Sequence, residues 1–205
     1  MVYLARDLSD PLFNLRSIKV MYGAKMAEKN VFPSIKREVK ILYEIVSIKG
    51  CIQLLDVFGD HESLSLVFPY YIRGDLYRYS KISSKNCFSE QKARYICKQL
   101  VDTLILLHEK GIIHRDLKPE NILVGEYLEV VITDFGFAIH KEELERDKVY
   151  NRVGTLEFYP VEMLTSVTGI AKEPIRYDER VDIWSMGVVI FELLYGKTPF
   201  VSSKG

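Results

Sequence analysis

The chain has no excess of charge. Its 205 residues hold 28 Lys and Arg against 28 Asp and Glu, a formal net charge of zero. A protein that lives on nucleic-acid backbone needs a cation for each phosphate it neutralises, so no nucleic-acid role is expected. Cysteine is scarce. Cys51, Cys87 and Cys97 are odd in number and lack metal-ligand spacing, which argues against a disulfide framework or a structural zinc and for a reducing compartment. Cys97 falls in an apolar helical stripe, where a small buried thiol is the simpler reading. Long hydrophobic runs are missing too. The most apolar stretch, residues 186–195, carries Glu192 and is far shorter than the roughly 20 residues a membrane span needs. Residues 1–11 hold charges where a signal peptide would be apolar. These absences predict a soluble intracellular protein, cytoplasmic or nuclear, with no membrane partner. What is present is apolar material, 48% of the residues, enough for one large domain or two small lobes.

The pattern along the chain changes character near Gly74. Before it, Arg16-Ser17-Ile18-Lys19-Val20 alternates polar and apolar, as a half-buried strand does, and residues 64–68 read as a second strand after a turn at Gly59-Asp60-His61. Between them Ile35, Val39, Leu42 and Ile45 recur at helical spacing, predicting an amphipathic helix over 33–46. After it, a long helix is signalled from Ser89, an N-cap, to Lys110, with Gly111 ending it and an apolar face through Ala93, Ile96, Leu100, Leu104 and Leu107. Short strands at 122–124 and 130–132 follow, then a polar stretch over 141–152 read as a solvated charge run. Residues 182–195 form a helix apolar on nearly every side, hence central and buried.

The chemistry is concentrated in His114-Arg115-Asp116-Leu117-Lys118-Pro119-Glu120-Asn121 and, downstream, Asp134-Phe135-Gly136. Moving a phosphoryl group requires an acceptor for the hydroxyl proton, hard oxygen ligands for magnesium and cations against developing charge. Asp116 can be the base, Asn121 and Asp134 can hold Mg2+, and Lys118 can neutralise the transferring phosphate. Any one of these residues alone would more often be a cap or a surface group. The full octet followed by this triplet resembles the signature of protein kinases, and the resemblance extends over essentially the whole chain.

The resemblance implies an α+β, bilobal fold: a small antiparallel-sheet lobe with one main helix (1–68), a hinge (69–74) and a mainly helical large lobe (75–205). It makes Lys19 the cation on the α- and β-phosphates of ATP and Glu38 its partner. Phe68 becomes the gatekeeper, and backbone near Pro69 and Tyr71 meets adenine. Val2, Ser17, Glu120 and Leu123 are placed around the nucleotide. Asp75 contacts the ribose, although a helix-capping role fits it nearly as well. Lys118 and the pair Gly154-Thr155 resemble what serine/threonine kinases carry, so the acceptors are serine or threonine hydroxyls of protein substrates. Asp182, in Asp182-Ile183-Trp184-Ser185-Met186-Gly187, is expected to hold the backbone of the catalytic loop. Within the family, Gly154-Thr155-Leu156-Glu157-Phe158-Tyr159-Pro160-Val161-Glu162-Met163, the segment Asp134 to His140, Tyr177-Asp178-Glu179-Arg180-Val181-Asp182 and the Lys19-to-Glu38 spacing resemble the Aurora group. That implies a mitotic role and an activating protein partner.

Four departures from the family pattern are visible. No glycine-rich phosphate loop precedes Val2-Tyr3-Leu4-Ala5, which resembles the strand after that loop. The chain stops after Gly196-Lys197-Thr198-Pro199-Phe200, where further helices are expected, one of them with an arginine for Glu162. Both ends of the domain are therefore expected to be truncated. Ser17 replaces a small apolar residue beside adenine. Residues 141–153 contain no serine or threonine, and Asn151 stands where the Aurora group has its activating phosphothreonine. Arg115 would then lack a phosphate, with Tyr150 or the carboxylates Glu142, Glu143, Glu145 and Asp147 as substitutes. The alternative function is a non-catalytic binding or scaffold module.

Overall fold

Four strands lie in antiparallel order β1-β2-β4-β3, from β1 (Val2–Arg6), β2 (Leu15–Tyr22), β3 (Asp56–Gly59) and β4 (Ser63–Pro69). The computed structural model describes residues 1–12, 14–23, 32–82, 86–147, 153–164 and 176–200, with the Asp147 side chain left aside. The alternation that predicts β2 places Ser17 and Lys19 on one face of the sheet. Lys19 stands opposite Val2 on β1 and Leu66 on β4, while Ser17 stands opposite Leu4 and Phe68. Because strand side chains alternate faces, these partners share the side that meets the second lobe.

Helix α1 (Phe32–Glu44) packs under the sheet, with Pro33 in its first turn, where the missing N–H has no helical partner to lose. Its inner face buries Ile41 and Leu42 together with a carboxylate, Glu38, only 5% exposed. An acid on a buried face is the informative anomaly, because carboxylates seldom leave water unpaired.

The second lobe begins at α2 (Leu76–Lys81), a helix the apolar periodicity does not predict, capped by Asp75, which accepts from the backbone N–H of Arg78 at 2.8 Å. Helix α3 (Glu90–Glu109) follows, with Ser89 accepting from the Lys92 N–H at its start. The expected stripe Ala93, Ile96, Leu100, Leu104 and Leu107 is buried. Cys97, on the same helix, is only half-buried, short of a fully interior thiol. Then come β5 (Ile112–Ile113), β6 (Ile122–Val124), β7 (Val130–Ile132) and β8 (Ile139–His140), paired as β5-β8 and β6-β7. Helix α4 (Lys141–Asp147) occupies the first half of the stretch expected to be a charge run. Leu144, fully buried on its inner side, supplies the apolar anchor that a purely solvated run would lack. A single-turn helix α5 (Val161–Leu164) precedes α6 (Arg180–Tyr195). The α6 helix is central, yet Ile183 (53%) and Trp184 (38%) remain exposed, so it is not enclosed on every side. Glu162 is half-buried and has a contact of its own.

One apolar core runs through both lobes, from Ile41, Leu42, Ile52 and Leu66 to Leu104, Ile132 and Phe135. Each such buried side chain contributes about 1.5–3 kcal/mol relative to exposure, so the lobes stabilise one another. The connection after β4 is stitched to β6: the Val124 N–H donates to the Gly74 carbonyl at 2.9 Å, and Asp75 bridges Leu123. Among the described residues, no helix is long and apolar enough to cross a membrane.

Candidate active site

A cleft of about 280 Å³ opens between the sheet and the second lobe. Val2, Ser17, Lys19 and Phe68 face it from the sheet, Glu38 from α1, and Glu120, Asn121, Leu123 and Asp134 from below. Tyr71 and Asp75 are not in its lining. Asp75 is engaged instead as the α2 cap and with Arg78 at 3.3 Å. Leu42, Ile52, Thr133 and Phe135 also line the cleft. Helical spacing could have put Leu42 on this side, but nothing in the sequence marks Ile52 or Thr133.

The charges at the back of the cleft form a chain. Lys19 Nζ donates to Glu38 Oε1 at 2.6 Å and to Asp134 Oδ1 at 3.1 Å. Burial alone would lower the Lys19 ammonium, but the charges of Glu38 and Asp134 outweigh it and hold it above the ordinary lysine value. For Asp134 burial pushes the other way, upward, and the adjacent Lys19 ammonium wins, leaving the carboxyl below its usual range. Asp134 therefore stays ionised at neutral pH, half-exposed toward the cleft.

Asp134 has a left-handed backbone (φ 60°), as does Arg115 (φ 68°), and non-glycine residues hold such conformations only when neighbours over-determine them. For Arg115 the neighbour is Asp182 on α6, whose Oδ1 accepts the Arg115 N–H and whose Oδ2 accepts the His114 N–H, both at 2.8 Å. His108 Nε2 lies 2.9 Å from the same Oδ2. The His114 ring, fully buried, stands edge-on to Phe135 with its Nε2 3.0 Å from the Thr133 carbonyl. Loop and Asp134 turn are thus fastened to one frame.

Within that frame the Asp116 carboxylate is oriented from three sides. Thr155 Oγ1 donates to Oδ1 at 2.8 Å, Asn121 Nδ2 donates to Oδ2 at 2.8 Å, and Lys118 Nζ sits 2.9 Å from Oδ2. Lys118 also donates to Thr155 Oγ1 at 2.6 Å, so the segment carrying Thr155 is pinned to the loop. Gly154 makes this approach possible. At φ 102° a side chain would be strained, and an added Cβ would come within 2.5 Å of the Arg115 carbonyl and 3.1 Å of Asp116 Oδ1. The contact of Thr155 with Asp116 is not predicted from the sequence, where Thr155 enters only through its resemblance to a substrate loop.

Both Asn121 Nδ2 protons are spent on Asp116, one on its carbonyl and one on its carboxylate, which leaves Oδ1 as the remaining acceptor of that side chain. With Asp134 it makes a pair of hard oxygen groups in one cleft. No cluster of three or more metal-ligating His, Cys, Asp or Glu occurs among the described residues. Two groups and no cage suit a cation that shares its coordination with phosphate oxygens and water, as Mg2+ does.

The sequence matches the family of the protein kinase domain over residues 3–205. The chain belongs to the protein kinase family. Among curated kinases it is similar to serine/threonine-protein kinase Aurora-2 of Arabidopsis thaliana, 35% identical over 97% of this chain and 64% of that protein. Aurora kinase C of Mus musculus is 37% identical over 98% of the chain and 67% of its own length. Aurora kinase B of Mus musculus is 33% identical over 98% and 54%. The kinase chain thus spans between about half and two thirds of the curated relatives it matches. The α+β bilobal architecture is that of the family, and the Aurora resemblance read from 134–140, 154–163 and 177–182 agrees with these relatives. Tyr150 and Asn151 lie outside the described residues.

Proposed function

We propose that this chain transfers the γ-phosphate of ATP to serine or threonine hydroxyls of protein substrates, using a cleft between a small lobe (1–68), a hinge (69–74) and a large lobe (75–205). The observation that carries the proposal is the convergence of Lys19, Glu38 and Asp134 in an ion-paired chain beside Asn121 and the oriented Asp116 carboxylate. Val2, Ser17, Phe68 and Leu123 offer the flat, largely apolar walls an adenine ring needs, with hinge backbone near Pro69 for its edge, while Tyr71 and the capping Asp75 lie outside the cleft lining. Lys19, held at the cleft by Glu38 and Asp134, presents its charge to the α- and β-phosphates. Mg2+ would be held by Asn121 and Asp134, with Glu120 at the rim, and when bound it supplies neutralisation of phosphate oxygens.

Asp116 orients the attacking hydroxyl and accepts its proton. In a loose phosphoryl-transfer transition state little proton transfer is needed early, so orienting the hydroxyl is the larger part of the carboxylate's task. Lys118 stands beside it to offset charge on the transferred group. Thr155 lies against the same carboxylate and borders the place where an acceptor would enter. The resemblance to Aurora kinases supports a role in cell division, an intracellular setting and an activating protein partner.

The test is Mg-ATP binding and phosphate transfer to a serine/threonine peptide library by the purified chain, beside Asp116→Asn and Asp134→Asn. Asp116→Asn is expected to retain nucleotide binding and lose transfer by roughly 10²–10⁴-fold, the usual range for a proton-transfer group. Asp134→Asn is expected to lose both. A folded wild type that neither binds Mg-ATP nor transfers phosphate would leave a non-catalytic binding module.

A further inference from the structure

Two arginines beside the catalytic groups are held by partners within the chain. Arg37 is the neighbour of Glu38 on α1. Its Nε donates to Glu143 Oε1 at 2.7 Å, and its Nη2 lies 2.6 Å from the same oxygen. Glu143 sits in the first turn of α4, and both side chains are about three-quarters buried. Seven residues along α1 from Arg37, Glu44 Oε2 lies 2.9 Å from His140 Nε2, and His140 immediately precedes α4.

Residues seven apart share a helix face, whereas adjacent residues point about 100° apart. One face of α1 therefore meets residues 140–143, while Glu38 points away toward Lys19. The hydrogen-bonded pairs Arg37–Glu143 and Glu38–Lys19 leave α1 on two different faces and so hold its rotation about its axis from two directions. The second arginine, Arg115, is 7% exposed. Its Nε donates to the Phe137 carbonyl at 2.7 Å and its Nη1 to the Tyr177 hydroxyl at 2.8 Å. Both guanidinium groups have partners within the chain in place of a phosphate, and residues 141–153 contain no serine or threonine to carry one.

We propose that Glu143 and Tyr177 are positioning residues of a built-in latch, holding α1 and the catalytic loop in the working arrangement without phosphorylation of residues 141–153. The proposal deepens the phosphotransfer reading and rests on it, but the latch itself has a readout that does not. Glu143 acts through Arg37 on the Glu38–Lys19 pair, and Tyr177 acts through Arg115 on the loop bearing Asp116.

The experiment uses the full chain, with and without prior phosphatase treatment. It compares Glu143→Gln, Arg37→Glu, the swap Arg37→Glu with Glu143→Arg, and Tyr177→Phe. Transfer to a peptide library is measured together with hydrogen exchange across residues 35–44. Wild-type transfer is expected to survive phosphatase unchanged. Glu143→Gln and Arg37→Glu are each expected to lower kcat about tenfold with little change in the peptide KM, and to speed exchange in α1, with the swap recovering most of both. Tyr177→Phe is expected to lower kcat without altering α1 exchange. Loss of transfer on phosphatase treatment, wild-type kcat and exchange in Glu143→Gln, or a swap no better than its single variants would each overturn the latch. A wild type that transfers nothing, with α1 exchange still accelerated by Glu143→Gln, would keep the latch and sink the phosphotransfer reading. The same inactivity with unaltered exchange would sink both.

Discussion

Glu192 shows how a single residue can be set against the stability of its own fold. It is 8% exposed on α6, and burial pushes its carboxyl above the ordinary glutamate value, helped by the nearby Glu120 charge and opposed by Lys81. A carboxylate whose folded value is raised binds more protons in the folded state, so stability falls as pH climbs from the unfolded glutamate value near about 4.3 through the folded one. Glu192→Gln is therefore expected to be more stable than wild type at pH 8, with the gain shrinking toward pH 4, as followed by urea midpoints across pH. Gly154 makes the opposite point, since there the backbone itself is the functional group. Gly154→Ala would drive a Cβ into the Arg115 carbonyl at 2.5 Å from an already left-handed backbone. The expected result is loss of peptide transfer with Mg-ATP binding retained, measured by steady-state kinetics beside nucleotide titration.

At the scale of elements, the position of the loop depends on α6 more than on the loop's own sequence. Asp182, 1% exposed, receives two buried backbone N–H groups and stands against His108 on α3. Replacing it with alanine orphans both donors, each costing about 1–3 kcal/mol, so Asp182→Ala is expected to destabilise the chain by roughly 2–6 kcal/mol in a denaturant melt. It should also depress transfer more than a core truncation of equal cost, because it releases the left-handed Arg115. The elements themselves were unevenly legible. The helices α1, α3 and α6 and the strands β2, β4, β6 and β7 announce themselves by period, length and caps. Helices α2 and α4 do not: each is a turn or two long, too short for an apolar face to repeat. Leu144 alone anchors α4, and one apolar residue among six charges reads as a solvated run.

For the whole molecule, the shared core means that closing the cleft on a ligand should stabilise both lobes as one unit. Mg-ATP at a hundredfold excess over its Kd should stabilise the chain by about 2.7 kcal/mol, visible as a rise in Tm that Asp134→Asn abolishes. Phe135 carries that coupling: it is wholly buried in the common core, one residue from Asp134 in the cleft. A second apolar surface lies on the far side of α6, where Ile183 and Trp184 are exposed and Trp184 stacks on Phe200 with centroids 5.6 Å apart. Glu162 and Arg180 border it, so the carboxylate expected to need a distant arginine stands beside charged company already.

The residue types and spacings of 114–121 and 134–136 determined by themselves the family and singled out the charged groups on which the proposed phosphoryl transfer rests, because that chemistry admits few solutions and this one is dense in sequence. The periodicities determined the strand that carries Lys19 and the helix that carries Glu38, while the groups of 114–121 and 134–136 stand on turns that no periodicity marks. The tertiary structure alone decided which distant residues meet. Asp182 beneath the loop 114–121 carries a signal only through its motif, whereas Arg37 with Glu143 and Arg115 with Tyr177 lie 106 and 62 residues apart with no local mark of their pairing. An ion pair or a hydroxyl contact leaves no periodic trace in a chain. It exists only once the packed helices have brought the two side chains within reach.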